Sequence, residues 1–288
     1  MTATRTASTG AVPILSVEGL SVHLDGSADR RLVDDVSFDL PDGSRLGVIG
    51  ESGSGKSLTA LAVLGLLGHP LRATGSVRLA LDGGGTVDAV SAPQRSLDSV
   101  RGTTVGAVFQ EPLASLDPLM RIGRQLAWPL RHHRGLRGDA LRTGVLDALS
   151  DVQLSDPERI ARSYIHEVSG GQRQRVAIAL ALAARPRLLI ADEPTTALDV
   201  TVQAGVLELL QSAVDERGMS LIFISHDLPV VAGIADRVLV MRNGRVVEEG
   251  ATERILGAPR EEYTRTLVGA SRALDDLLPA RPADGGAA

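Results

Sequence analysis

Residues 45–67 read RLGVIGESGSGKSLTALAVLGLL, an apolar strand, a glycine-rich loop and an apolar helical run in immediate succession. Few folds accommodate that order. A loop of this composition between strand and helix turns its backbone N–H groups inward and adds the partial positive charge of the helix N-terminus, which makes a cradle for a phosphate chain. Gly50, Glu51, Ser52, Gly53, Ser54, Gly55, Lys56 and Ser57 make up the cradle. Gly50, Gly53 and Gly55 permit its turns, Lys56 reaches toward the β- and γ-phosphates, and Ser57 is placed to ligate magnesium. Of the 30 Lys and Arg residues a single one is lysine, and it is Lys56. A compact ammonium fits inside a closed backbone loop where a forked guanidinium would not.

A second apolar strand, LLIADE, ends in two carboxylates. Asp192 suits the outer shell of the magnesium ion through water, and Glu193 suits the orientation or deprotonation of an attacking water. A helix-capping role for the same pair is the structural alternative. A third strand, LIFIS, is closed by His226, whose imidazole would reach the γ-phosphate from the same sheet edge. Taken alone, a histidine after a strand is more often structural.

The rest of the chain fits an α/β fold. Runs ending at Ile49, Ala191 and Ile224 are nearly continuous in apolar residues, as strands buried on both faces of a parallel sheet are. Ligand loops of such sheets lie at the carboxyl ends of the strands. Further β-type runs are Ile14–Leu24, Leu32–Leu40, Ser76–Leu81, Thr104–Phe109 and Val238–Val247. The last carries Asn243–Gly244 between apolar flanks and predicts an antiparallel hairpin. Residues of about 115–168 lack strand signals and predict an inserted helical lobe. The ends, 1–13 and 271–288, are small, polar or rich in Pro, Ala and Gly and read as disordered tails, leaving a domain of 14–270.

With 43% hydrophobic and 23% charged residues the composition is that of a globular protein. The net charge of −5 argues against nucleic acid as a partner. The absence of cysteine excludes disulfides and thiolate-bound metals and fits the cytoplasm, as does the lack of an apolar signal segment near the start. No apolar stretch reaches the ~18 residues that a spanning helix needs. Adjacent His132 and His133, in RHHRGLR, lack the spacing of a helical metal pair, and that stretch reads as a solvated loop.

Over nearly all of 14–270 these motifs resemble the ABC ATPases. The most specific element is Val168-Ser-Gly-Gly-Gln172 followed by RQRVAIALALAARPRLLIADEPTTALD. The resemblance implies a P-loop NTPase core with an antiparallel β subdomain and an inserted α-helical subdomain. It further implies that Ser169, Gly170, Gly171 and Gln172 form the signature that contacts the γ-phosphate of ATP bound by the opposite subunit. By the same resemblance Gln110, in VFQEP, is the Q-loop glutamine touching magnesium and the attacking water, Asp199 lies in the loop crossing the dimer boundary, and His226 is the switch histidine. At the adenine-stacking position the chain reads Val22-His23-Leu24 in place of the usual aromatic. His23 is either a replacement ring or a surface histidine.

FQEPLASLDP, HEVSGGQRQRVAIALALAARP, ADEPTTALDVTVQ and EYTRTL at 262–267 resemble the subfamily serving peptide and nickel importers. That resemblance implies ATP and Mg²⁺ as cofactors and a peripheral place on the cytoplasmic face of the cell membrane. The implied partners are a second ATPase subunit, identical or related, two transmembrane permeases and an extracytoplasmic solute-binding protein. Di- or oligopeptides are the leading solute class, with nickel or another small solute as the alternative. A soluble ABC ATPase of DNA maintenance is the reading from another class; it would separate the phosphate loop and signature by a long coiled coil, which this sequence lacks.

Overall fold

The computed structural model describes residues 12–196 and 199–277. In chain order the elements begin with β1 (Leu15–Leu24), β2 (Ser27–Leu40), β3 (Arg45–Ile49), α1 (Lys56–Val63), β4 (Leu71–Ala80), β5 (Thr86–Asp88), α2 (Gln94–Val100) and β6 (Val105–Val108). Then follow α3 (Ile122–Arg134), α4 (Gly138–Asp151), α5 (Pro157–Arg162), α6 (Gly170–Leu182), β7 (Leu188–Asp192), α7 (Val200–Arg217), β8 (Ser220–Ile224), α8 (Leu228–Ala232), β9 (Arg237–Arg242), β10 (Arg245–Ala251), α9 (Thr252–Gly257) and α10 (Glu262–Leu277).

Two sheets carry the fold, a four-stranded one in the order β2-β1-β4-β5 and a six-stranded one in the order β10-β9-β3-β8-β7-β6. Strands β9, β3, β8, β7 and β6 run parallel, and β10 returns antiparallel to β9. The unbroken apolar runs have a direct cause, since alternate residues of each central strand enter different cores. Leu188, Ile190, Ile222 and Ile224 pack with α1, α2 and the four-stranded sheet. Leu189, Ala191, Leu221 and Phe223 pack with the helices on the other face. A strand buried on both sides leaves little room for polar residues, and in β7 and β8 they stand only at the strand ends, Asp192 and Ser220.

The expected hairpin forms, with Asn243 and Gly244 at φ 49° and 80° between β9 and β10. Helices α3, α4, α5 and α6 lie in the chain between β6 and β7, the first three of them within the stretch expected to form a helical lobe. The stretch from Arg131 to Arg134, read as loop in the sequence, is the last turn of α3. There the cationic side chains sit favourably against the helix dipole, and Trp128 stacks on His132 at 4.9 Å between ring centroids, one turn apart. Strand β4 starts at Leu71 instead of Ser76, because pairing of Leu71–Thr74 with β1 recruits a segment too polar to announce itself. Short β5, between glycines and the Asp88 turn, gave no periodic signal. Helix α10 continues through Leu277, into the segment read as a tail; 1–11 and 278–288 lie outside the described residues.

Candidate functional site

Parallel strands bring their carboxyl ends to one edge, and four of the sequence motifs arrive there. Gly50 follows β3, Gln110 follows β6 after Phe109, Asp192 and Glu193 end β7, and His226 follows β8. Side chains far apart in sequence therefore meet.

The loop from Gly50 to Gly55 holds left-handed backbone at three glycines, with φ of 151° at Gly50, 77° at Gly53 and 101° at Gly55. At Gly50 a β-carbon would collide with the Met241 carbonyl oxygen of β9, so the loop can approach the neighbouring strand only without one. Gly55 is the N-cap of α1, and Lys56 and Ser57 open that helix. Lys56 is 5% exposed. Its Nζ donates to the carbonyl oxygens of Gly50 at 2.7 Å and Glu51 at 2.9 Å, so the loop is wrapped around its own lysine. Burial pushes the Lys56 ammonium below the usual lysine range, against the pull of Glu193 and Asp192, which favour its charged form. Ser54 Oγ is buried with no hydrogen-bond partner among the described residues, which leaves a hydroxyl in the loop ready for an incoming oxygen.

Ser57 Oγ donates to Asp192 Oδ1 at 3.1 Å. Burial raises the Asp192 carboxyl above the usual aspartate range; the Ser57 hydrogen bond opposes this, repulsion from Glu193 reinforces it, and Lys56 opposes it more weakly. Two adjacent oxygen donors suit a hard octahedral cation that binds through one or two protein oxygens and takes the rest of its shell from water and phosphate. Among the described residues no cluster of three or more His, Cys, Asp or Glu is present.

Glu193 has φ 47°, a left-handed conformation that costs a non-glycine residue ~1–3 kcal/mol. Its position is fixed on three sides. The Glu193 N–H donates to Ile224 O at 2.9 Å, Thr196 Oγ1 donates to Glu193 Oε2 at 2.9 Å, and His226 Nδ1 lies 3.3 Å from Glu193 Oε1. Thr196 escaped the sequence reading, although a hydroxyl three residues after a catalytic candidate was a usable signal. Gln110 stands exposed at the end of β6, beside β7 in the sheet.

A strand–loop–helix cradle, a paired Ser and Asp at its mouth and a Glu–His pair beside it now stand on one sheet edge, and the profile of the family described as "ABC transporter" matches residues 33–196. The chain belongs to the ABC transporter family. Among curated relatives of this cassette, the "peptidoglycan transport ATP-binding protein YejF" of Agrobacterium fabrum is 48% identical over 91% of this chain. The cassette spans 48% of that relative's length. A "putative peptide import ATP-binding protein" of Brucella ovis is 43% identical over 92% of this chain and 79% of its own. Among solved structures, the dimeric post-hydrolysis state of the ATP-binding cassette MJ0796 bound to ADP and Pi superposes with a TM-score of 0.71, at 27% identity, covering 83% of this chain and 98% of that one.

Ser169 is the exposed N-cap of α6, and its N–H and its hydroxyl as acceptor enter a capping box: the Gln172 N–H donates to Ser169 Oγ at 3.3 Å and the Ser169 N–H to Gln172 Oε1 at 3.0 Å. Gly170 has open space around it, while Gly171 faces Val202. Asp199 caps α7, accepting the Val202 N–H at 3.0 Å, and is exposed. Ala197 and Leu198 lie outside the described residues. Of Val22-His23-Leu24, Val22 is fully buried and cannot stack on a base. His23 lines a polar hollow with Arg31, Asp34, Thr74 and Arg245.

Proposed function

We propose that this cassette binds ATP with Mg²⁺ on the loop 50–57 and hydrolyses it as one half of a two-cassette dimer that energises a membrane importer of di- or oligopeptides. The observation that carries the reading is the convergence of Lys56, Ser57, Asp192, Glu193 and His226 on one sheet edge. In this reading the backbone N–H groups of 50–57 and Lys56 grip the β- and γ-phosphates. Ser57 and Asp192, with the exposed amide of Gln110, hold the ion, which when bound offsets charge on the phosphate oxygens. Glu193, already turned toward His226 and Thr196, orients the attacking water and accepts its proton, and His226 donates toward the γ-phosphate.

The exposed N-terminus of α6, with the Ser169 hydroxyl and the N–H groups of Gly170 and Gly171, offers a second set of phosphate donors. A partner cassette supplying such donors completes the site, so ATP favours the closed pair by its differential affinity. No described helix is long and apolar enough to cross a membrane, and membrane attachment in this reading comes through two permease chains. The peptide class is supported by the names that the relatives carry, and a nickel or other small-solute importer is the competing outcome.

Glu193→Gln tests the chemistry. Turnover is expected to fall at least ~10²-fold, the usual contribution of a general base, while ATP binding persists and a nucleotide-trapped dimer accumulates in size-exclusion chromatography. Undiminished turnover would remove Glu193 from that role. Affinity purification from detergent-solubilised membranes tests the partners: two multi-span chains and a second cassette are expected, and recovery of soluble DNA-associated proteins alone would overturn transport.

A further inference from the structure

The C-terminal segment reaches the phosphate loop from behind. Tyr263, in the second residue of α10 and 8% exposed, accepts the backbone N–H of Glu51 on its hydroxyl at 3.1 Å. The carbonyl of the same Glu51 accepts Lys56 Nζ at 2.9 Å. A hydrogen-bonded line therefore runs from α10 through one residue of the loop to the lysine. The other end of this loop segment is tied in the same way, since the Gly244 N–H at the β9–β10 turn donates to Ser54 O at 3.0 Å.

Both anchors are built and not incidental. A β-carbon on Gly244 would stand 2.6 Å from the Leu32 carbonyl oxygen, at a φ of 80°. Arg242, just before the turn, lies over the Tyr263 ring with its guanidinium carbon 4.6 Å from the centroid. The entrance to α10 is held by Glu248 of β10, whose carboxylate accepts the backbone N–H groups of Arg260 at 3.0 Å and Glu261 at 3.1 Å and the Arg254 guanidinium at 3.0 Å.

We propose that Tyr263 is a positioning residue for nucleotide binding: its hydroxyl fixes the Glu51 peptide and, through it, the Lys56 ammonium that meets the phosphates. The phenolic ring is buried beneath the Arg242 guanidinium of β9, and the hydroxyl reaches the loop. The inference rests on the reading of 50–57 as the phosphate cradle. It assigns to the C-terminal helix a hold on ATP affinity that no motif in the first 260 residues supplies.

Tyr263→Phe keeps the ring and the Arg242 contact and removes the acceptor. In the full-length chain, titration calorimetry is expected to show the Kd for ATP and for ADP rising about fivefold, the equivalent of one neutral hydrogen bond. The melting midpoint without nucleotide should fall by no more than about 2–4 °C, and in the ATPase assay KM should rise by more than kcat falls. An unchanged Kd for ATP in the variant, with or without a lower melting midpoint, would overturn the positioning role. Failure of the wild-type chain itself to bind ATP would overturn the cradle reading and this inference with it.

Discussion

Asp192 and Glu248 are carboxylates of equally small exposure, each 7%, on well-separated strands of one sheet, yet their surroundings push them in opposite directions. At the end of β7, Asp192 has a single hydroxyl donor and an acidic neighbour, and burial wins, holding its carboxyl above the ordinary range. On β10, burial acts on Glu248 too, but the Arg260 and Glu261 N–H groups and Arg254 outweigh it and hold the carboxyl below the ordinary range. Low exposure alone therefore does not decide the charge state of an acid; the depth at which it is embedded and the donors around it decide together. A satisfied acid such as Glu248 builds the fold. Asp192, short of donors, is left with capacity for something the protein chain does not provide, as a cation-binding position requires.

The sharpest way to break the comparison is Glu248→Ala. It strips the acceptor from two backbone N–H groups and from Arg254, and a loss of about 2–4 kcal/mol in unfolding free energy is expected from denaturant titration. A loss under ~0.5 kcal/mol would mean that water replaces the carboxylate and that α10 needs no such anchor. Glu248→Gln is milder, because one amide oxygen still accepts while the amide nitrogen faces a donor; about 1–2 kcal/mol should be lost near neutral pH. The folded-state value of Glu248 is depressed, so its contribution is present above the ordinary glutamate value of about 4.3 and disappears as pH falls through the lower folded value. The gap between wild type and Glu248→Gln should close over that acidic window.

Asp192→Asn should give the smallest change and the opposite sign. Asparagine still accepts the Ser57 hydroxyl but carries no charge to desolvate, so the nucleotide-free variant should be more stable by up to ~1 kcal/mol at neutral pH. Because the folded-state value of Asp192 is raised, the wild-type chain is at its best below the ordinary aspartate value of about 3.9 and loses that advantage as pH rises through the higher folded value. Urea titrations across pH 4–8 should show the variant pulling ahead as pH rises; a parallel course for the two proteins would refute the assignment of burial as the dominant influence on Asp192.

Much of the site was legible because its parts are contiguous. The loop 50–57, the Asp192–Glu193 pair and His226 each sit directly after an apolar run, and a parallel sheet must deliver such positions to one edge. The Asn243–Gly244 turn was legible for the same reason, since the two residues that need left-handed backbone are adjacent. Other features had no local trace. Residues 131–134 read as loop because arginine and histidine say little about the helix dipole or about a tryptophan one turn earlier. Strand β4 extended beyond its apolar stretch because β1 supplied the pairing.

The sequence by itself determined the chemistry available: one lysine in a glycine loop, two acids after a buried strand, a histidine after another, and a capped helix opening with Ser169-Gly-Gly-Gln172. Only the tertiary structure decided how those groups are held. The Tyr263 hydroxyl and the Glu51 N–H are 212 positions apart along the chain, and Ser57 and Asp192 are separated by 135. Hydrogen bonds act over about 3 Å whatever the chain distance, so partners of this kind are set by how sheets and helices pack and leave no periodic mark in the sequence. The same holds for the charge states of Asp192 and Glu248, which depend on how deeply the fold embeds each carboxylate and how many donors it brings there.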